Sequence, residues 1–159
     1  MELKTGMLRN LLIWLFLALP FSGHAAGFSV EDIQGKTHRL EDYRGKWVLV
    51  NFWAIWCPPC QNEIPELNSL HDAHKDNDLV VISIAMDSGS RNKVAEFSQA
   101  HGVSYPVVMG NRKIAAQIGE LDVLPTSFMY SPNGEQVSYQ AGEITRESVE
   151  TYIKNKKLN

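Results

Sequence analysis

The chain has 159 residues, with 15 Lys and Arg against 18 Asp and Glu, a formal charge of −3. No basic stripe is present, which argues against nucleic acid as a partner. The length suits one domain that can bury a core without disulfide staples.

The N-terminal residues stand apart from the rest. Glu2, Lys4 and Arg9 precede an apolar run, Leu11–Leu19, which Pro20 ends, and Ser22–Ala26 supplies small residues. This is the layout of a secretory signal peptide over residues 1–25, with cleavage expected after Ala25. An uncleaved membrane anchor is the alternative, but the run is well short of the ~20 apolar residues that span a bilayer. No cysteine lies near the cleavage site, which speaks against a lipid anchor. The domain 26–159 is therefore expected outside the cytoplasm, in a periplasm, where disulfides persist.

Within that domain, Phe28–Leu40 alternates around Gly35-Lys36 and predicts a short hairpin. Trp47–Trp53 is apolar almost throughout and reads as a buried central strand. A helix is expected from about Cys57 to His74, because Glu63, Ile64, Leu67, Leu70 and Ala73 recur at helical spacing. Pro58 and Pro59 fall in its first turn, where missing N–H groups cost little. Pro65 lies inside it and is expected to kink it.

Leu79–Ala85 reads as a second buried strand and Val94–His101 as a helix. Pro106–Met109 is a short extended piece, and Arg112–Ile118 a short helix before Gly119. Thr126–Tyr130 and Gln136–Gln140 are strands joined by the turn Ser131-Pro132-Asn133-Gly134, and Arg146–Lys156 is a closing helix. The order β-α-β-α-β-β-α gives a mixed α/β layout. Strands joined through helices should be parallel, and the last two antiparallel.

The two cysteines of the chain both fall in Trp56-Cys57-Pro58-Pro59-Cys60. A structural disulfide gains its benefit by closing a long loop, and this pair would close almost none. Their placement suits chemistry better. A sulfur at a helix N-terminus meets unpaired backbone N–H groups and the positive end of the dipole, which stabilise a thiolate. The thiolate is the nucleophile of disulfide exchange.

Cys57 is thus read as the exposed attacking sulfur, and Cys60, one turn on, as the buried resolving sulfur. Cys60 N–H is the expected donor to the thiolate, since Pro59 has none. Pro58 and Pro59 stiffen the loop and tune the redox pair. A zinc site would need two further ligands. The histidines His71 and His74 sit at the far end of the same helix and are read as solvated surface, so no metal is assigned.

Asn51-Phe52-Trp53-Ala54-Ile55-Trp56-Cys57-Pro58-Pro59-Cys60, followed by Glu63-Ile64-Pro65-Glu66-Leu67, resembles the thioredoxin-fold reductases of the TlpA/ResA/CcmG type. The resemblance extends to Asp32–Lys36, Tyr43–Lys46 and Leu124-Pro125-Thr126, and covers nearly all of the domain. It implies a thioredoxin-like fold: a mixed central β-sheet flanked by helices, with an N-terminal β-hairpin extension. It also implies a cis-proline at Pro125, facing the cysteines, with Leu124 before it facing substrate.

Asn51 stands where thioredoxins carry a buried aspartate, and it cannot accept the proton of Cys60. The resemblance places an acidic residue for that task at Asp87; the alternative for Asp87 is a cap of the following helix. Trp56 would lie on the surface beside Cys57 and pack against substrate. Glu63 and Glu66 are read as a solvated helix face.

The activity this implies is reduction of protein disulfides by a Cys57/Cys60 dithiol, with no cofactor. A membrane electron donor of the DsbD/CcdA type would keep the pair reduced. Apocytochrome c and other extracytoplasmic proteins are the implied clients, linking the chain to cytochrome c biogenesis. No dimerisation element is evident, so a monomer is expected. An oxidase that donates its disulfide keeps the chemistry and reverses its direction. A peroxidase would need a threonine where Ala54 stands. A non-catalytic metal carrier would have to recruit ligands from elsewhere.

Overall fold

A computed structural model describes residues 27–158. The signal-peptide reading falls outside these residues. The elements are β1 (Ser29–Glu31), β2 (Thr37–Arg39), a 3-10 turn (Leu40–Tyr43), β3 (Trp47–Trp53), α1 (Pro58–His74), β4 (Leu79–Ala85), α2 (Arg91–Ala100), β5 (Val107–Met109), α3 (Arg112–Ala115), β6 (Thr126–Tyr130), β7 (Gln136–Ala141) and α4 (Arg146–Lys157).

Five strands form the central sheet in the order β5-β4-β3-β6-β7. β3, β4 and β5 are parallel, while β6 and β7 are antiparallel to their neighbours. Every residue of β3 and β4 is buried. Strands covered on both faces read as continuous apolar runs, which is why these two were legible.

The period of two still divides them. Val48, Val50, Phe52, Ile82 and Ile84 face Phe28, Val30 and Ile118. Leu49, Leu79 and Val81 face Leu67 and Leu70 of α1 and Val149 and Ile153 of α4. A third cluster caps the carboxyl end of β3, where Trp53 and Ala54 pack with Cys57, Cys60, Val94 and Val107. The reactive pair therefore stands on a fully buried part of the fold, at the end of the central strand.

The hairpin β1–β2 docks on the outer edge of the sheet, with Ile33 N–H donating to Val107 O at 2.7 Å. That covers an edge that would otherwise present free backbone groups. Asp32 organises the hairpin turn. One carboxylate oxygen accepts the N–H groups of Gln34 and Lys36, and the other meets His38 Nε2 at 2.8 Å.

Element ends depart from expectation for local reasons. α2 begins at Arg91 rather than Val94 because Ser90 accepts the Lys93 N–H and caps it. α3 stops at Ala115, and a turn carries the chain on to Gly119. There Phe128 sits so close that a Cβ would meet its ring at 2.4 Å. Pro65 faces solvent within an uninterrupted α1.

Candidate active site

β3 delivers the chain to a tight connection, Ala54–Cys57, that is fixed from three sides. Ile55 N–H donates to Ser88 Oγ at 3.1 Å, Met86 N–H to Trp53 O at 2.8 Å, and Gln61 Nε2 to Ile55 O at 2.7 Å. Cys57 has extended backbone angles and is the N-cap of α1. It is bonded to Cys60, with a Cα–Cα separation of 5.3 Å.

Pro58 and Pro59 occupy the first two helix positions and remove two of the N–H groups that an N-terminus normally offers. The Cys60 N–H remains and donates to Cys57 Sγ at 3.3 Å. The site thus holds a sulfur at a helix end but gives it a single first-turn donor.

Both cysteines are buried, Cys57 at 4% exposure and Cys60 at 1%. The expected exposed attacking sulfur is corrected by this: in the disulfide state Ala54, Trp53 and Val94 pack around both. What is exposed is the surface beside them. Trp56 is 60% exposed, and its indole Nε1 donates to Asp87 O at 3.0 Å. Leu124 is half-buried and Pro125 buried, joined by a cis peptide bond. Trp56, Asp87 and Leu124 line one shallow groove.

Asp87 adopts φ +45°, a conformation that aspartate tolerates better than most residues. Its carbonyl, not its carboxylate, makes the contact with Trp56. It does not cap α2, because Ser90 does.

The buried acid of the site is Glu63. It is 1% exposed, which overturns its reading as part of a solvated face. Its Oε1 accepts from Asn51 Nδ2 at 2.6 Å and its Oε2 from Ile144 N–H at 3.1 Å. Asn51 also donates to Ser127 Oγ at 3.1 Å. Burial pushes the Glu63 carboxyl up to about 7, against the opposing hydrogen bonds from Ile144 and Asn51. Glu63 lies three residues after Cys60, so the two share a face of α1 one turn apart. Glu66, by contrast, is only half-buried and accepts the N–H of Arg146 at 2.9 Å.

The histidines of α1 are corrected too. His71 is buried, and its Nδ1 accepts the Val81 N–H at 3.2 Å. His74 bridges Asp78 at 2.8 Å and Glu150 at 3.0 Å. Among the described residues no group of three or more His, Cys, Asp or Glu side chains could hold a metal, and no helix is long and apolar enough to cross a membrane.

A Cys-x-x-Cys that follows the central strand at a helix N-terminus, a cis bond before Pro125 and this sheet order can be set beside known proteins. The AhpC/TSA family pattern matches residues 22–138. The chain belongs to that family.

Within it, the chain is 36% identical over 131 residues to the thiol-disulfide oxidoreductase ResA of Bacillus thuringiensis (strain Al Hakam), covering 82% of this chain and 75% of the relative. It is 31% identical over 138 residues to ResA of Geobacillus kaustophilus, covering 87% and 79%. A crystal structure of a thiol:disulfide interchange protein of the thioredoxin family from Chlorobium tepidum superposes with a TM-score of 0.73 at 26% identity, covering 80% of this chain and 91% of that one. With Cys57 and Cys60 in place, the protein is a thiol-disulfide oxidoreductase of thioredoxin-like fold. Its substrates are thiols and disulfides.

Proposed function

We propose that the protein is an extracytoplasmic reductase of protein disulfides. The single observation that carries the direction is the stripped helix N-terminus. With Pro58 and Pro59 in the first two positions, the Cys57 sulfur has one first-turn N–H donor, from Cys60. A strong disulfide oxidant needs a well-stabilised thiolate, so weak stabilisation favours giving electrons away. The Glu63 carboxylate under the pair works in the same sense, because a nearby negative charge disfavours thiolates.

The cycle follows. The Cys57 thiolate attacks one sulfur of a client disulfide, forming a mixed disulfide and releasing the other client sulfur as a thiolate. Cys60 loses its proton to the Glu63 carboxylate and attacks Cys57 Sγ. The Cys57–Cys60 bond forms, and the client leaves with both sulfurs reduced, having gained two electrons. Glu63, buried on the face of Cys60, suits this proton transfer better than the exposed Asp87.

Trp56 and Leu124 provide apolar contact, and the backbone before Pro125 offers an edge for an extended client. A membrane dithiol carrier of the DsbD/CcdA type then returns two electrons to Cys57–Cys60. The signal-peptide layout of residues 1–25 supports export, and apocytochrome c fits the client class.

The test is to trap the redox state of Cys57 and Cys60 in intact cells with a thiol-reactive mass tag, with and without the donor. Reduced cysteines that become oxidised on loss of the donor are expected. Oxidised cysteines in both cells would sink the reductase reading in favour of the oxidase.

A further inference from the structure

The surface around the disulfide has a composition of its own. Trp56 is 60% and Val123 51% exposed, large apolar side chains left in water. With Met86, Leu121 and Leu124 they form the apolar part of the groove. A patch of this kind marks a contact surface.

Its rim is acidic. Asp87 and Asp122 line the groove, and Glu120 joins them in the adjoining depression. All three are exposed. Among the described residues, no Lys, Arg or His comes within 4 Å of their carboxylates. Several acids elsewhere are paired, Asp72 with Lys75, Asp78 with Lys157, Glu150 with Arg146 and Glu31 with Arg91; what marks Asp87, Glu120 and Asp122 is that they cluster unpaired beside apolar surface. Arg112 lines the same depression, so three carboxylates face one guanidinium there.

Unpaired charges of one sign beside apolar surface do nothing for the fold, since they repel one another. They complement a cation arriving with an apolar neighbour. The hydrogen bond from Trp56 Nε1 to Asp87 O ties the apolar platform to this rim, so the two present themselves as a unit.

We infer that the groove selects its clients by charge. This rests on the reductase reading above. The occupant is an extended client segment with an apolar side chain against Trp56 and Val123 and a Lys or Arg within a few residues of the reacting cysteine. Asp87, Glu120 and Asp122 are the specificity-determining residues. They touch the flanking residues of the client and take no part in bond exchange, which stays between Cys57 Sγ and a client sulfur. Acidic segments are repelled.

The test uses the reduced protein and two synthetic peptides, each closed by one disulfide and identical except for Lys or Glu flanking the cysteines. The readout is the ratio of their reduction rates. A general loss of exchange therefore cancels. The Lys peptide is expected to react about tenfold faster at low ionic strength, with the ratio falling to about two at 0.5 M NaCl as the charges are screened. In the variant Asp87→Asn/Glu120→Gln/Asp122→Asn the low-salt ratio is expected near one; asparagine keeps the positive φ at position 87 accessible.

A wild-type ratio near one, or a ratio untouched by the triple substitution, overturns the inference while leaving the reductase reading intact. Reduction of neither peptide overturns both. Should the triple variant fail to fold, the salt dependence of the wild-type ratio decides.

Discussion

The two ends of α1 are built on opposite terms. At the N-terminal end, two prolines strip the backbone of donors, the Cys57 sulfur keeps one N–H, Trp56 stands exposed, and three carboxylates have no ion-pair partner. At the C-terminal end nearly every polar group is engaged. His71 accepts the Val81 N–H, and His74 bridges Asp78 and Glu150. Lys157 meets Asp78 at 2.9 Å and Arg146 meets Glu150 at 2.6 Å. One end fastens the helix to the sheet and to α4; the other leaves a bond free to be made and broken. The fastening is what lets a reactive pair keep its geometry through a cycle.

The comparison breaks most completely at the reactive end. Cys60→Ser removes the resolving sulfur, so turnover should be lost and the Cys57–client mixed disulfide should accumulate as a covalent adduct visible by mass spectrometry. Release of client at the wild-type rate would show that Cys60 does not resolve it.

Between the two ends lies Glu63, and its replacement by Gln should sharpen the contrast. Its folded pKa of about 7 lies above the ordinary value of 4.5, so burial favours the protonated form. The stability it contributes is present in full below pH 4.5 and is lost as pH rises through about 7. Glu63→Gln should therefore be near neutral at pH 4.5 and more stable than wild type by up to about 3 kcal/mol above pH 8, read from urea midpoints. In the same variant, the limb near pH 7 in the rate of peptide reduction should vanish. Retention of that limb would move the proton transfer elsewhere.

Pro59→Ala gives the reactive end one more N–H donor. The thiolate gains about 1.4 kcal/mol and the reduction potential should rise by about 30 mV in a glutathione titration. An unchanged potential would mean that the first-turn donors do not set the direction of electron flow.

The smallest effect belongs to the anchored end. Burial pulls the pKa of His74 down, but Glu150 and Asp78 together outweigh it and hold it above the ordinary value. The contribution is thus present below pH 6.5 and lost as pH rises through the raised folded pKa. His74→Ala should cost about 1 kcal/mol at pH 6 and less at pH 9, with exchange rates little changed. A large loss of exchange would mean that the two ends are not separable.

Much of this was legible in the sequence. Trp47–Trp53, Leu79–Ala85 and Thr126–Tyr130 have the bounds read from apolar runs and turn signals, because buried strands leave an unbroken hydrophobic record. The cysteine pair and its helix were legible from spacing. Glu63 was not, although the signal was present. Cys60, Glu63, Ile64, Leu67, Leu70 and His71 form one continuous stripe at helical spacing, and all six are buried. Residue type argued for solvent, and position argued for the core. The carboxylate could follow position because Asn51 and Ile144, distant in sequence, supply its hydrogen bonds. Ala73, on the same spacing count, is exposed. The burial of Cys57 was equally hidden, since it depends on Val94 packing in from α2.

The segment between β7 and α4 has a further meaning. Gly142 N–H donates to Pro125 O at 2.9 Å, and two residues later Ile144 N–H donates to Glu63. The backbone on which a client would settle and the Glu63 carboxylate, one helical turn from Cys60, thus hang from one three-residue span. Coupling of this kind runs equally in both directions: settling a peptide should change how tightly Glu63 holds its proton, and filling Glu63 should change how the peptide settles. Protons exchanged on peptide binding would appear as binding enthalpies that differ between buffers of unlike ionisation heat. Identical enthalpies at pH 7 would cut that thread.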